Sequence, residues 1–326
     1  MFKLAVDTMG GDLGSVEVVQ AIKNFLSKND DVEITAVGKA EELKSLEGLC
    51  RIVDARDVVP MQAGALEVLR MKESSMMKAI KLVKEEGLDG VVSCGSTGAF
   101  LSASTITFKM IPGVKRAALV APFPSNIKGK KVVILDVGAN NENSAEELTQ
   151  FALMGRLYCQ AIYHLEEPKV YMLSNGTEEG KGSPEVKEAS KILKANNFPG
   201  FYGNIEAKTA LSGEADVVVT DGFTGNVFLK SSEGIAKFMG SMMKSAFKKN
   251  LWTKLGYLHV KKGINEISET MDYKTTGGAM LLGVNGVVVK AHGSSDALAF
   301  THALDVAKNL AKNNILLKIK EGLENA

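Results

Sequence analysis

The stretch that decides the fold is Val132–Asn140, which reads Val-Val-Ile-Leu-Asp-Val-Gly-Ala-Asn. Its first half is a continuous apolar run, which is typical of a parallel strand covered on both faces of a sheet. Its second half places an acidic residue, a glycine and an asparagine where a turn must lead into the next element. The pattern predicts a buried strand that ends in a polar, glycine-containing turn.

The same pattern recurs along the chain, in alternation with segments of helical periodicity. Such alternation predicts an α/β fold with three α/β/α layers, in which helices cover both faces of a doubly wound, mostly parallel sheet. The predicted strands are Lys3–Asp7, Val32–Val37, Gly90–Ser93, Val132–Asp136, Lys169–Leu173, Asp216–Thr220 and Gly286–Lys290. The predicted helices include Ser15–Ser27, Met76–Glu86, Ala145–Tyr163 and Pro184–Ala195. We predict a single domain over residues 1–326, or two lobes of it around a cleft.

The composition narrows the class of protein. Of 326 residues, 39 are Lys or Arg and 38 are Asp or Glu, so the chain lacks the basic excess typical of nucleic-acid binding. Cys50, Cys94 and Cys159 are scattered and odd in number, which argues against a disulfide framework and a zinc cluster and favours a reducing cytoplasm. The sequence has no apolar run of roughly 18 residues, and its apolar start predicts a strand rather than a signal peptide.

Five turns at the predicted strand ends are rich in glycine and small polar residues: Asp7–Asp12, Ser93–Ala99, Asp136–Asn140, Asp221–Asn226 and Ala291–Asp296. In a parallel sheet, we expect such turns to gather at one carboxyl edge, where ligands bind. Glycine lets a backbone approach a ligand, and the N–H groups at helix starts attract anions. The turns therefore predict a site for phosphate or another oxyanion. The alternative at each position is a turn or N-cap residue with no ligand.

Three common nucleotide or hydrolase motifs are missing from the sequence. It contains no GxxxxGK[ST] loop and no GxSxG elbow, and Gly10–Gly14 has the wrong spacing for GxGxxG. These absences argue against an ATPase, a serine hydrolase and a typical Rossmann dehydrogenase.

Taken together and in order, the turns resemble the phosphate acyltransferases of bacterial phospholipid synthesis. That family's DAMGGD appears here as DTMGGD and its SAGNTGA as SCGSTGA, while its DVGAN and TDGFTGN are intact. The matching segments are Asp7–Asp12, Ser93–Ala99, Asp136–Asn140, Asn175–Gly182, Thr220–Asn226, Gly277–Gly283 and His292–Ser294. The sequence departs from the family at Thr8, Cys94 and Ser96, and Asn141–Ala145 lacks the common cysteine-containing pattern.

The resemblance implies a fold like that of phosphotransacetylase and isopropylmalate dehydrogenase, and a homodimer. It implies reversible transfer of a fatty acyl group from acyl carrier protein to inorganic phosphate, with no metal or organic cofactor. A membrane glycerol-3-phosphate acyltransferase would then consume the acyl phosphate. The alternatives are a short-chain phosphotransacetylase that uses acyl-coenzyme A, a dehydrogenase of the isopropylmalate type, and a non-catalytic acyl-binding or membrane scaffold protein.

For this reaction we expect bound phosphate to attack the thioester directly, with Lys181, His292 and Asn226 as catalytic residues. The predicted substrate- and phosphate-binding residues are Asp7, Gly10, Gly11, Asp12, Ser93, Gly95, Ser96, Thr97, Gly98, Arg116, Asp136, Gly138, Asn140, Asp221, Gly222, Thr224, Gly225, Gly293 and Ser294.

Several of these residues have a simpler interpretation. His292 could cap a helix, Lys181 could be a solvated loop lysine, and Arg116 could belong to a structural ion pair. The aspartates that follow the strands lack the spacing of metal ligands and suit the bracing of turns. Cys94 at a helix start could form an acyl-enzyme, but we favour a packed small residue there.

The segment 229–262 has a basic amphipathic pattern. Apolar residues recur at helical spacing from Ile235 to Phe247. Lys237, Lys244, Lys248 and Lys249 occupy the other faces. The pattern favours packing into a core or a dimer interface. The alternative is contact with an anionic membrane or with the acidic carrier protein, as a peripheral association.

Overall fold

The computed structural model of the protein describes residues 1–271 and 277–324, in which eleven strands form one continuous sheet. The strands are β1 (Phe2–Asp7), β2 (Val32–Gly38), β3 (Arg51–Asp54), β4 (Gly90–Ser93), β5 (Ala118–Pro124), β6 (Lys131–Leu135), β7 (Val170–Ser174), β8 (Phe201–Glu206), β9 (Val217–Val219), β10 (Ala279–Leu282) and β11 (Val287–Lys290). The α-helices are α1 (Ser15–Leu26), α2 (Ala40–Leu43), α3 (Ser75–Glu86), α4 (Thr97–Phe108), α5 (Ala145–Ile162), α6 (Pro184–Ala195), α7 (Gly222–Lys248), α8 (Leu251–Met271), α9 (Ala297–Lys312) and α10 (Ile315–Glu324).

The strand order in the sheet is β3-β2-β1-β4-β11-β10-β5-β6-β9-β7-β8. Strands β1 to β4 and β11 are parallel to one another, and so are β6 to β9. Between these blocks, β10 is antiparallel to β11 and β5, and β5 is antiparallel to β6. The predicted mostly parallel α/β fold is confirmed, and its two parallel blocks run in opposite directions.

The expectation that all five turns share one edge of the sheet is wrong. The turns that follow β1, β4 and β11 lie at one edge, which we call the first edge. The turns that follow β6 and β9 lie at the opposite edge, which we call the second edge. The physical reason is the insertion of β10 and β5, because three successive antiparallel pairings reverse the direction of the second block.

Side chains alternate between the two faces of the sheet and build one core on each. On one face, α1, α9, α5, α6 and α10 cover the strands, with Phe25, Phe151 and Phe300 fully buried. On the other face, α3, α4 and the beginning of α7 supply the packing, with Ile80 and Phe100 fully buried. These layers are the predicted three-layer arrangement.

All seven predicted strands are present with ends shifted by at most one residue, and the four predicted helices are present too. The structure adds β3, β5, β8 and β10. Pro122 and Pro124 make the sequence of β5 look unlike a central strand, because proline cannot donate to a ladder. Strand β10 pairs only with Ala118–Val120, so both prolines lie beyond that ladder.

Helix α7 begins at the second edge and runs along the face of the sheet towards the first. Its Phe228 packs on Phe123, near the first-edge end of β5, with ring centroids 5.7 Å apart. Lys230 lies about 12 Å along the helix from Gly222. Beyond this point α7 and α8 form a helical hairpin whose surface is mostly exposed. Within the described residues, no helix is both long and apolar enough to cross a membrane.

Candidate active site

The buried carboxylate of Asp7 joins three elements at the first edge. Its oxygens accept hydrogen bonds from Ser75 Oγ at the start of α3 and from Ser93 Oγ at the end of β4, both at 2.7 Å. The Met9 backbone N–H also donates to it, at 3.2 Å. Burial raises the pKa of Asp7, and these hydrogen bonds oppose the rise. Asp7 therefore braces the turn that follows β1.

The three turns of the first edge pack directly against each other. A side-chain carbon added to Gly10 would lie 2.7 Å from the Cα of Gly95, so only glycine allows this approach. The backbone N–H of Asp12 donates to the carbonyl of Gly293 at 2.8 Å. The predicted residues of these turns thus share one small region.

Helix α4 begins in this region without a side-chain cap. Its N-cap residue Ser96 makes no capping hydrogen bond, and its hydroxyl lies 3.4 Å from the Ala63 carbonyl instead. Among the described residues, no group accepts from the backbone N–H of Thr97 or Gly98. A side-chain carbon added to Gly98 would meet no atom within 4 Å. Free N–H groups, the helix dipole and open space together suit an anion.

Cys94 is a buried thiol beneath this helix start. Its Sγ donates to the Gly10 carbonyl at 2.8 Å. Burial, followed by the charge of Asp7, raises the pKa of the Cys94 thiol to about 12. The thiol therefore stays protonated at neutral pH and is a poor nucleophile.

His292 lies in the turn that follows β11. The backbone N–H of Ser294 donates to its Nδ1 at 3.2 Å, and the Ser294 hydroxyl lies 2.9 Å from the same atom. Burial lowers the pKa of His292, the Glu233 carboxylate opposes that effect, and nearby lysines reinforce it. These contacts favour a neutral ring with Nδ1 as acceptor, which leaves the proton on Nε2 as a hydrogen-bond donor.

At the second edge, the backbone N–H groups of the turn after β6 bind the buried carboxylate of Asp136. One oxygen accepts from the backbone N–H groups of Leu119, Gly138 and Ala139, at 2.9–3.0 Å. The other accepts from the backbone and side chain of Asn140, at 2.9 and 2.7 Å. Burial raises the pKa of Asp136, and the hydrogen bonds from Ala139, Leu119, the Asn140 side chain and Gly138 oppose the rise. The N–H groups of this turn are therefore occupied.

Helix α7 starts beside this turn and has a side-chain cap. Its N-cap residue Asp221 accepts from the backbone N–H and the hydroxyl of Thr224, at 2.8 and 2.7 Å. Side-chain carbons added to Gly222 or Gly225 would overlap backbone oxygens of the Asp136 turn. These glycines are required for close packing of the chain on itself.

The fold agrees with comparisons to known proteins. The model of a family described as "Fatty acid synthesis protein" matches residues 2–318. The chain belongs to this family.

Relatives along the whole chain are named phosphate acyltransferases, and the chain is an enzyme of that kind. The relative from Exiguobacterium is 41% identical over 328 residues, covering 98% of both chains. The one from Dictyoglomus turgidum is 40% identical over 329 residues, covering 98% of this chain and 97% of the relative. The one from Staphylococcus aureus is 41% identical over 322 residues, covering 98% of both.

Solved structures with the same fold are much more distant in sequence. A phosphotransacetylase from Streptococcus pyogenes superposes with a TM-score of 0.61 at 20% identity, covering 96% of this chain and 94% of that one. A 4-hydroxythreonine-4-phosphate dehydrogenase from Klebsiella pneumoniae gives a TM-score of 0.51 at 11% identity, covering 95% and 98%. These likenesses establish the fold shared by the family.

The predicted site residues of this family member divide between the two edges. Those at the first edge are Asp7, Gly10, Gly11, Asp12, Ser93, Gly95, Ser96, Thr97, Gly98, His292, Gly293 and Ser294. Those at the second edge are Arg116, Asp136, Gly138, Asn140, Lys181, Asp221, Gly222, Thr224, Gly225 and Asn226.

Three predicted residues of the second edge have distinct surroundings. The exposed side chain of Asn226 packs over Gly138. Lys181 is exposed in the loop after β7. Arg116 lies 3.5 Å from the carboxylate of Glu147, in the first turn of α5, which is the ion pair considered as its alternative role. Within residues 1–271 and 277–324, no group of three or more His, Cys, Asp or Glu is placed to hold a metal ion.

The sequence analysis missed two lysines near His292. Lys290 ends β11 and is buried, and Lys230 lies on α7 and is exposed. Both are among the charges that lower the pKa of His292. A signal for Lys290 was available, because a lysine that continues the apolar run Val287–Val289 must end up in or beside the core.

Proposed function

We propose that the protein transfers a fatty acyl group reversibly from the thioester of acyl carrier protein to inorganic phosphate, as a step of phospholipid synthesis. The observation that carries the proposal is the full-length similarity to phosphate acyltransferases at about 40% identity. The uncapped start of α4, open at Gly98, supports it with a place for phosphate. The products would be acyl phosphate and free carrier protein.

In the proposed mechanism, an oxygen of bound phosphate attacks the thioester carbonyl carbon directly. A tetrahedral intermediate forms, its carbon–sulfur bond breaks, and the sulfur of the carrier's arm leaves and takes up a proton. The buried, protonated thiol of Cys94 supports direct attack over an acyl-enzyme.

The catalytic roles proposed for individual residues follow from their surroundings. The N–H groups of Thr97 and Gly98 would hold the phosphate. His292 would donate from Nε2 to the developing oxyanion or to the leaving sulfur. The family motifs that contain Asn226 and Lys181, and not their place at the second edge, support their proposed roles as a hydrogen-bond donor and a cation.

The test of the reaction is phosphate-dependent release of the carrier-protein thiol from a long-chain acyl carrier protein, followed with a thiol reagent. We expect release that requires phosphate, and a kcat about 100-fold lower for His292→Ala, the usual scale for losing one oxyanion donor. Release from short-chain acyl-coenzyme A alone would identify a phosphotransacetylase. No release from any donor would favour an acyl-binding scaffold, and an absorbance change that requires NAD would indicate a dehydrogenase.

We further propose that the α7–α8 hairpin makes the contacts of this enzyme with other molecules. Its apolar side chains are not buried in the chain's own core, since Phe238 is 63% and Trp252 is 82% exposed. Lys237, Lys244, Lys248 and Lys249 are exposed beside them. Such a surface suits a homodimer interface, together with an anionic membrane or the acidic carrier protein.

The membrane part of this proposal has its own test. If the hairpin carries a cytoplasmic enzyme to the membrane, wild type floats with anionic liposomes and the double variant Lys244→Glu/Lys248→Glu floats much less. Peripheral attachment would place the acyl phosphate beside the membrane glycerol-3-phosphate acyltransferase proposed to consume it. Equal, negligible flotation of both proteins would reject membrane contact.

A further inference from the structure

Lys290 is a buried lysine whose ammonium group is incompletely satisfied. The residue is 6% exposed. Among the described residues, its Nζ has one hydrogen-bond acceptor, the carbonyl of Ala291. An ammonium carries three N–H donors, and burying it while some of these donors lack acceptors is destabilising. A lysine kept at this position therefore needs a further anionic or polar partner.

Strand register places this ammonium at the end of a row of polar residues. Ser93 pairs with Lys290 across β4 and β11, and the pairing of Val6 with Val92 puts Asp7 opposite Ser93. All three side chains leave the same face of the sheet, because Val91 and Val288 lie two residues before Ser93 and Lys290 in the core of that face. The Ser93 hydroxyl is committed to Asp7 at 2.7 Å. Asp7 therefore has its own partners, and Ser93 separates it from Lys290.

Charges from several elements converge on Lys290. Burial lowers the pKa of Lys290 to about 8, and the negative groups around it oppose that shift. The charged groups that act on it at neutral pH are Asp7 and Asp12 from the turn after β1 and Lys230 from α7, and the protonated thiol of Cys94 lies in the turn after β4. Lys230, which lies 3.3 Å from the carboxylate of Glu233 on the same helix, approaches from α7, so Lys230, Glu233 and Lys290 all act on His292.

We propose that Lys290, with Lys230 opposite it, positions a phosphate group at the uncapped start of α4. The ammonium of Lys290 would supply the positive charge, and the N–H groups of Thr97 and Gly98 would supply directed donors. The phosphate group could be the inorganic substrate or the phosphodiester of the carrier protein's pantetheine arm. This inference rests on the proposed function, and it adds two residues outside the sequence-predicted site.

The competing explanation is a purely structural one, in which Lys290 only balances the carboxylates of Asp7 and Asp12. Removing the charge would then lower the free energy of unfolding and leave phosphate binding unchanged. If Lys290 has the proposed role, replacing it with an apolar residue of similar length removes a buried charge. The fold is then retained, and phosphate binding is lost.

The experiment compares the full-length wild type with Lys290→Met, Lys290→Arg and, as the matched control, Lys131→Met. Lys131 is a half-buried lysine on β6 whose pKa burial also lowers. We expect Lys290→Met to raise the KM for phosphate about 10- to 100-fold, the scale of a hydrogen bond to a charged group. Lys290→Arg should raise the KM for phosphate much less, and the control variant should have the KM of wild type.

The pH profile supplies a readout that a structural role would not change. Deprotonation of Lys290 removes the cation, so kcat/KM for phosphate should fall as the pH rises through about 8. Arginine stays protonated across this range, so Lys290→Arg should abolish that loss. Phosphate titrates equally in both assays, so the ratio of the wild-type and Lys290→Arg profiles reports Lys290 alone.

Two further measurements separate the possible sources of the phosphate group. A higher KM for phosphate with an unchanged KM for the acyl carrier protein assigns the site to inorganic phosphate. A higher KM for the carrier protein, but not for an acyl-pantetheine that lacks the phosphodiester, assigns it to the arm. Both results support the inference. An unchanged KM for both substrates in Lys290→Met, or equal losses in the methionine and arginine variants, overturns it.

Calorimetric titration with inorganic phosphate keeps this test independent of the reaction. If wild type binds phosphate and Lys290→Met does not, the site is supported even when no acyl transfer occurs. Failure of the proposed function is therefore distinguishable from failure of this inference. Should Lys290→Met fail to fold, Lys290→Gln takes its place under the same criteria.

Discussion

The starts of α4 and α7 have similar sequences and opposite surroundings. Residues 96–98 read Ser-Thr-Gly and residues 223–225 read Phe-Thr-Gly, each just after a strand. At α7, Asp221 caps the helix and Gly225 packs against the Asp136 turn. At α4, the Ser96 side chain makes no capping hydrogen bond with the described residues, and a side-chain carbon added to Gly98 would meet no neighbour within 4 Å.

This difference shows that one local motif can serve either the fold or a ligand. At the second edge, the carboxylate of Asp136 already occupies the place of an anion and receives five hydrogen bonds. At the first edge, no group in the described part of the chain accepts from the N–H groups of Thr97 and Gly98, and Lys290 is buried at the end of β11. The motif therefore holds the chain together at α7 and is available for phosphate at α4.

The strongest test of this contrast is the stability of two matched alanine variants. Gly225→Ala should lose about 3 kcal/mol or more of unfolding free energy, because its new side-chain carbon overlaps a backbone oxygen of Asp136. Gly98→Ala should be neutral or slightly stabilising, because alanine is favoured over glycine in a helix. Urea denaturation measures both, and similar losses in the two variants would remove the contrast.

The open space at Gly98 can be tested by filling it. Gly98→Val should leave the unfolding free energy within about 1 kcal/mol of wild type, since nothing lies within 4 Å, and should raise the KM for phosphate at least about 10-fold. The control is Gly240→Val on the exposed part of α7, where there is also no neighbour within 4 Å. A normal KM in Gly98→Val would mean that no ligand approaches this helix start.

The smallest effect is expected beneath α4, at Cys94. Cys94→Ala removes a buried, protonated thiol and its bond to the Gly10 carbonyl, so we expect a loss of about 1 kcal/mol in stability. The kcat should stay within about threefold of wild type, because phosphate attacks the thioester directly. A folded variant without turnover would show instead that an acyl-enzyme forms at this residue.

The elements could be predicted from the sequence wherever a local pattern specifies them. The apolar run Val132–Leu135 predicted β6, and the regular spacing in Pro184–Ala195 predicted α6. Strand β5 was missed because its prolines resemble those of a loop, and β10 because its sequence, Ala-Met-Leu-Leu, lacks the β-branched residues typical of strands. The candidate site was predicted as a set of turns, but Lys290 was missed because it is the last residue of β11 and precedes the turn that follows that strand.

The sequence by itself determined the α/β class, the turn chemistry after each strand and, through ordered motifs, the family. These properties depend on side-chain periodicity and on residues that are close along the chain. Only the tertiary structure decided which turns share an edge, which helix start keeps free N–H groups and where Lys290 is buried. Each of these depends on contacts between distant segments, such as β11 with β4 or Asp136 with Leu119. Such contacts set the direction of a strand and the partner of a hydrogen bond, and a local sequence pattern does not specify them.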